Sequence, residues 1–268
     1  MNRTAVDRRR SLGLARGAGL ALILFALGCA GVPRRPWAGP AVPLTAWSPR
    51  LDDGTRVRIR PLPFGDDRVA ATIDYVRRRC DPQAAASPSS VFYSPRMIVV
   101  HWTAIPTRHR SWQAFAPATL PGSRADIVQA GRLNVSAHFL VDRDGTIDQL
   151  LPETVIARHC IGLNRVAIGI ENVGGPDAPL TAAQLRADAA LVTHLAHKYP
   201  AIRYLVGHFE STRWERSPLW EERDPAYRTI KVDPGESFLA ALRARVAGLG
   251  LLASDGTGAV GEKRVSSE

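Results

Sequence analysis

Four short, strongly apolar runs constrain this chain more than any other feature: residues 97–100, 137–141, 166–170 and 204–206. None is long enough for a three-turn helix, and none alternates with polar residues as a strand with one wet face would. Runs of this kind are strands buried on both faces, which requires helices layered on either side of a sheet. Three of them lead into a polar residue that apolarity does not explain: His101, Glu171 and, one step past Gly207, His208. If these strands are neighbours, the three side chains converge where an α/β protein places its site, at the ends of its strands. One such residue means little; three in step are a candidate site.

The connecting segments agree with this reading. Asp142-Arg143-Asp144-Gly145 is a hairpin turn signal between residues 137–141 and 146–151. Thr181 followed by Gln184 forms a capping box, with Leu180 and Leu185 placed as a hydrophobic staple, and predicts a helix to about Lys198. A second helix is expected from Gly235 to about Val246 on the stripe Phe238, Leu239, Leu242 and Val246. A short amphipathic helix is expected over residues 68–80. The fold class is therefore α/β: one domain over residues 66–248, with a central, mainly buried mixed β-sheet flanked by α-helices.

The ends of the chain differ from its middle. Arg3, Arg8, Arg9, Arg10 and Arg16 precede an apolar stretch over residues 17–28, the layout of an export signal and too short for a spanning helix. Leu27-Gly28-Cys29 resembles the lipobox of bacterial lipoproteins. That resemblance implies acylation of Cys29, attachment to a membrane through the lipid, and a place in the cell envelope; the non-acidic Ala30 points to the outer membrane, facing the periplasm. Residues 29–65, with seven prolines, are expected to be a Pro-rich linker, and residues 249–268 a flexible tail.

Residues 1–28 hold five Arg and one Asp, a net +4 of the chain's +10, so the remainder carries +6. A basic surface suits polymers that bear carboxylates and phosphates. No nucleic-acid motif and no dense basic stripe accompany the charge, so nucleic acid is excluded as a partner. A monomer is expected. Beyond Cys29 the cysteines are Cys80 and Cys160. An exported compartment permits a disulfide between them, and two buried free thiols fit the sequence equally well.

Five motifs carry a more specific likeness: Val99-Val100-His101-Trp102-Thr103-Ala104, Ser136-Ala137-His138-Phe139 through Gly145, Ile168-Gly169-Ile170-Glu171-Asn172, Gly207-His208-Phe209-Glu210 and Lys231-Val232-Asp233-Pro234-Gly235. In order and content they resemble zinc N-acetylmuramoyl-L-alanine amidases, the family related to peptidoglycan recognition proteins and to the lysozyme-type amidases of phages. The likeness covers residues 92–246. It implies one Zn2+ per chain held by His101, His208 and Asp233, with Glu171 as general base and Lys231 directed at the developing oxyanion. It also implies peptidoglycan or muropeptides as the substrate, with His159, Asn164 and Trp102 contacting it. Two histidines and one carboxylate suit a catalytic zinc, which keeps a position for water.

Bland readings stand beside these. Asp233-Pro234-Gly235-Glu236 also looks like a helix N-cap followed by Pro at the first helical position. His194 and His197 lie on the polar face of their predicted helix and are expected to be exposed, and His138 is expected to be structural. The gap from His208 to Asp233 is longer than in many members of the family, so residues 209–230 are an insertion, read as a wall of the substrate groove.

Overall fold

The computed structural model describes residues 44–121, 125–128 and 130–256. The chain divides into two units, Met1–Arg34 and Arg35–Glu268, and every described residue belongs to the second. The predicted export signal, Cys29, the first part of the linker and residues 257–268 of the tail lie outside the described residues.

Six strands form one sheet: β1 (Val57–Ile59), β2 (Met97–Trp102), β3 (Phe139–Val141), β4 (Ile147–Gln149), β5 (Ala167–Asn172) and β6 (Tyr204–Gly207), in the order β1-β4-β3-β5-β2-β6. The sheet is mixed. β3 and β4 are the antiparallel hairpin closed by Asp142-Arg143-Asp144-Gly145, and every other pair is parallel. The helices are α1 (Asp66–Tyr75), α2 (Arg108–Phe115), the single turn α3 (Ala125–Val128), α4 (Ala182–Lys198) and α5 (Glu236–Arg245); α1 continues into a π turn, Val76–Cys80.

Both faces of the central strands are covered, as their unbroken apolarity requires. On one face Ile98, Val100, Ile168, Ile170 and Leu205 pack against Leu191, Val192 and Leu195 of α4 and Leu242 of α5. On the other, Met97, Val99, Ala167 and Val206 meet Cys160, Leu163, Trp214 and Leu219. Strand side chains alternate, so His101 continues the row of Met97 and Val99, and Glu171 the row of Ala167 and Gly169. Both therefore fall on the second face.

The capping box at α4 forms as expected. Gln184 N donates to Thr181 Oγ1 at 3.1 Å, and Thr181 N donates to Gln184 Oε1 at 2.9 Å. Gln184 also donates through Nε2 to the carbonyls of Val141 and Val173, which fastens the helix start to the exits of β3 and β5. Such a cap contributes about 1 kcal/mol, and here it also sets where α4 crosses the sheet.

Within the expected linker, residues 44–65 depart from that reading. From Leu44 onward the chain is folded: it makes a 3-10 turn, an Arg50–Arg56 bridge and β1, which pairs with β4 at the edge of the sheet. Leu62 and Phe64, lying among prolines, are buried. The reason is that an edge strand of three residues with two outward side chains shows no periodicity, while its prolines resemble those of a spacer. The domain thus includes residues 44–65.

This returning segment also changes the reading of His194. Ser48 Oγ lies 2.9 Å from His194 Nε2, and Asp52 places one carboxylate oxygen 2.6 Å from His194 Nδ1 and the other 2.8 Å from His197 Nδ1. His197 is exposed as expected, whereas His194 is largely covered.

Candidate active site

Register brings the site residues together. In the β2–β5 pair His101 stands opposite Glu171 and Trp102 opposite Asn172; in the β2–β6 pair Val100 stands opposite Gly207, so His208 follows beside His101. All three strands run parallel, so their C-terminal ends share one side of the sheet. The third expected ligand comes from the segment before α5. Phe209 N donates to the Asp233 carbonyl at 3.0 Å, tying that segment to the turn after β6. The turn is itself braced by Glu210, which accepts from Gly207 N at 3.0 Å and is gripped by Arg243 of α5 at 2.6 and 3.0 Å. Glu210 stands inside a motif noted in the sequence, but its partner on α5 gives no sequence signal.

His101, His208 and Asp233 are buried, and their donor atoms converge. His101 Nδ1 lies 2.9 Å from His208 Nδ1 and 3.2 Å from Asp233 Oδ2, and His208 Nδ1 lies 3.0 Å from that same oxygen. Burial, with the neighbouring His208, pulls His101 down to about 4. Burial alone would raise Asp233, but the neighbouring His101 and His208 reverse this and hold it well below the usual carboxylate range. The group therefore presents an ionised carboxylate and a neutral His101 in a dry site.

Glu171 is set apart from them. Its Oε2 is enclosed and has no hydrogen-bond partner among the described residues. Burial first, and then the Asp233 charge, raise its carboxyl to about 8, with Lys231 pulling it back. Lys231 lines the pocket beside His208 and His159. All five expected residues thus share one site, where a metal could be held and a proton moved.

Asp233 does not double as a helix cap. α5 starts at Glu236 behind Gly235, whose φ of 87° a glycine tolerates, and among the described residues no side chain caps it. The carboxylate turns toward the histidines instead, so the Asp-Pro-Gly-Glu pattern misleads as a cap.

The pocket is walled by Tyr75, Arg158, His159, Asn164 and Tyr227. The Asn164 amide is fully engaged: Oδ1 accepts from the backbone of His159 and of Cys160 in its own loop, each at 2.8 Å, and Nδ2 donates to Tyr75 Oη of α1 at 2.8 Å. Trp102 lies on the other side, against Gly235, in a trough with Pro176, Pro179 and Phe238. His138 is structural, as expected, with Nδ1 accepting from Gly169 N. Cys80 and Cys160 are free thiols.

The segment over residues 209–230, expected to be a wall of the groove, contributes Tyr227 and Thr229 to the lining of this pocket. Trp214 and Leu219 anchor it in the core, and Trp220 lies on Gly162 so closely that a Cβ there would come within 2.4 Å of the indole. Arg79 holds its far end by pairing with Glu222 at 2.8 Å, receiving Arg223 N on its carbonyl at 3.0 Å and stacking over Tyr227. These contacts bring Tyr227 and Thr229 to the pocket. The aromatic content of this segment is plain in the sequence, but its clasp to Arg79 is not.

The family model for N-acetylmuramoyl-L-alanine amidase matches residues 92–236. The endolysin of Klebsiella phage KP32 is 28% identical over 111 residues, which cover 36% of this chain and 70% of the phage protein. The 1,6-anhydro-N-acetylmuramyl-L-alanine amidase AmpD of Citrobacter freundii is 31% identical over 159 residues, covering 54% of this chain and 76% of its own. Among solved structures, a selenomethionine derivative of AmpD aligns at 27% identity and a TM-score of 0.45, over 77% of this chain and 99% of that one. The matched span takes in more than half of the chain and every one of His101, Glu171, His208, Lys231 and Asp233: the chain belongs to the N-acetylmuramoyl-L-alanine amidase family.

Proposed function

We propose that this protein hydrolyses the amide between the lactyl group of N-acetylmuramic acid and the L-alanine of the stem peptide, in peptidoglycan or its fragments, as a zinc enzyme. One observation carries the reading: two imidazole nitrogens and a carboxylate oxygen meet within 3.2 Å of one another in a buried site, beside an enclosed acid. Family membership supplies the bond.

The donor set fits zinc. Imidazole nitrogen and carboxylate oxygen are both zinc ligands, and two histidines with one acid form a catalytic rather than a closed structural set. Among the described residues His101, His208 and Asp233 are the only such group close enough to hold a metal ion. What zinc supplies there when bound is Lewis acidity, toward a water and toward the scissile carbonyl.

The chain's own residues do the rest. Glu171, with a carboxyl raised to about 8, is matched to take a proton from the attacking water and return it to the departing nitrogen. Water contributes OH to the lactyl carbonyl and H to the alanine nitrogen as the C–N bond breaks, so atoms balance. Lys231 lines the pocket, and its charge offsets negative charge growing on the carbonyl oxygen. The wall bearing Tyr227 and Thr229 bounds the substrate on one side.

Lipid attachment at Cys29 and outer-membrane placement facing the periplasm belong to the same proposal, supported by Leu27-Gly28-Cys29 and Ala30. Among the described residues no helix is long and apolar enough to cross a membrane.

Purified sacculi incubated with the full chain should release peptides with free N-terminal alanine, an activity lost on chelation and restored by zinc. Glu171→Gln should keep the zinc and lower kcat by about 10²–10⁴-fold. Cleavage at another bond overturns the substrate, and binding without release makes the protein a recognition module.

A further inference from the structure

His101 has a second neighbour. Its Nε2 lies 3.0 Å from His159 Nδ1, the two rings meeting edge to face at 88°. The other nitrogen of His159 lies 3.2 Å from the Ala167 carbonyl. A carbonyl only accepts, so His159 Nε2 carries the hydrogen. Among the described residues no carboxylate is a partner of the ring, so the imidazole is neutral and its Nδ1 is an acceptor. The hydrogen between the two rings must then come from His101 Nε2. A neutral imidazole has one N–H, which leaves His101 Nδ1 with a bare lone pair, the atom that faces His208 and Asp233.

We infer that His159 is a positioning residue for the metal centre: by accepting from His101 Nε2 it fixes the His101 tautomer whose Nδ1 is free to ligate. The inference rests on the reading of His101, His208 and Asp233 as zinc ligands. It also reassigns His159 from the substrate contact that family resemblance implies, because a substrate donor on its Nδ1 would have to displace His101.

The surroundings are built for this contact. The Ala167 carbonyl that orients His159 also accepts from Tyr93 Oη at 2.9 Å. Asn164 accepts from the His159 backbone and so fixes the loop that presents the ring. Gly169 gives the space, since a Cβ there would stand 2.8 Å from His159 Cγ and 2.9 Å from Nδ1. No Cβ makes so close a contact, so a side chain at 169 displaces the imidazole. On the far side His138 is pinned, with Nδ1 receiving Gly169 N and Nε2 donating to the Val155 carbonyl, each at 2.9 Å.

The test uses two readouts on the full chain without substrate. Nitrogen NMR of the zinc-free protein should show His101 protonated at Nε2, and His159→Ala should move the hydrogen to Nδ1 in part or whole. Zinc affinity, measured by competition with a chromophoric chelator, should fall about 10–100-fold in His159→Ala, the usual effect of losing the partner of a ligating histidine. His159→Gln, whose amide oxygen is an acceptor of similar reach, should recover most of it. Gly169→Ala, which keeps His159 but pushes its ring away, should weaken zinc in the same direction. If His159→Ala fails to fold, the Gln and Gly169 variants carry the comparison.

An unchanged His101 tautomer with unchanged zinc affinity in folded His159→Ala or Gly169→Ala overturns the inference. A pure substrate contact would raise KM and leave both readouts alone. If the wild type binds no zinc yet its His101 tautomer depends on His159, the metal reading fails and the positioning role stands.

Discussion

This chain contains two groups made of the same residues, two histidines and an aspartate, and only one of them looks like a site. His101, His208 and Asp233 come from two strand ends and a distant loop, are buried, and point three lone-pair atoms at one spot. His197 and Asp52 lie at the surface, with His194 largely covered beside them. There each imidazole takes its own carboxylate oxygen, and Ser48 occupies the remaining nitrogen of His194. One arrangement lets each donor close its own hydrogen bond; the other leaves the same donors crowded around a common point. What separates a candidate centre from a clasp is therefore convergence without compensation, which residue type and sequence spacing do not reveal.

The contrast is broken most directly by substitution in both groups. His208→Ala should abolish stoichiometric zinc binding and lower kcat/KM by about 10³-fold or more, whereas His197→Ala should leave both within about twofold. Metal analysis with turnover on the same samples checks this, and equal losses would erase the distinction.

A smaller effect is expected beneath the first group. Asn172 Nδ2 donates to the His101 carbonyl at 3.3 Å and to Asp188 of α4 at 2.8 Å, and burial raises the Asp188 carboxyl to about 7 despite that bond. Folding thus favours the protonated acid. The stability from this group is fully present below the ordinary carboxylate value near 4 and is lost as pH rises through 7. Asp188→Asn, neutral at every pH, should be more stable than wild type at pH 8 by about 1 kcal/mol or more, with the gap closing toward pH 4. Denaturation at the two pH values decides it.

The smallest effect belongs to the clasp. Hydrogen bonds from His194 and His197 lower the Asp52 carboxyl, so its contribution is present above about pH 4 and disappears as pH falls through the depressed value. Asp52→Asn should cost about 1–3 °C of Tm at pH 7, with the difference gone in acid. A large loss would mean that the segment over residues 44–56 does more than cover α4.

The site was legible in the sequence where apolarity stops abruptly. His101, Glu171 and His208 each interrupt a strand signal, and parallel pairing in register then places them side by side. The capping box of α4 and the hairpin were legible because each is encoded within a few residues. What escaped depends on partners remote in sequence. β1 is too short to show a period, and its place follows from β4, 90 residues away. Asp233 matched a cap locally, and only the histidines facing it decide otherwise. His159 bears on His101 through the carbonyl of Ala167 and the missing side chain of Gly169, neither of which a residue pattern displays.

The Arg79 clasp bears on how this enzyme could be re-engineered. The wall over residues 209–230 lies within the family match at 92–236, but the turn that grips it, Val76–Cys80, lies before that span. A graft of the wall alone into a shorter relative would arrive without its anchor and leave Glu222 with no cation. The two pieces, nearly 150 positions apart in sequence, form one transplantable module.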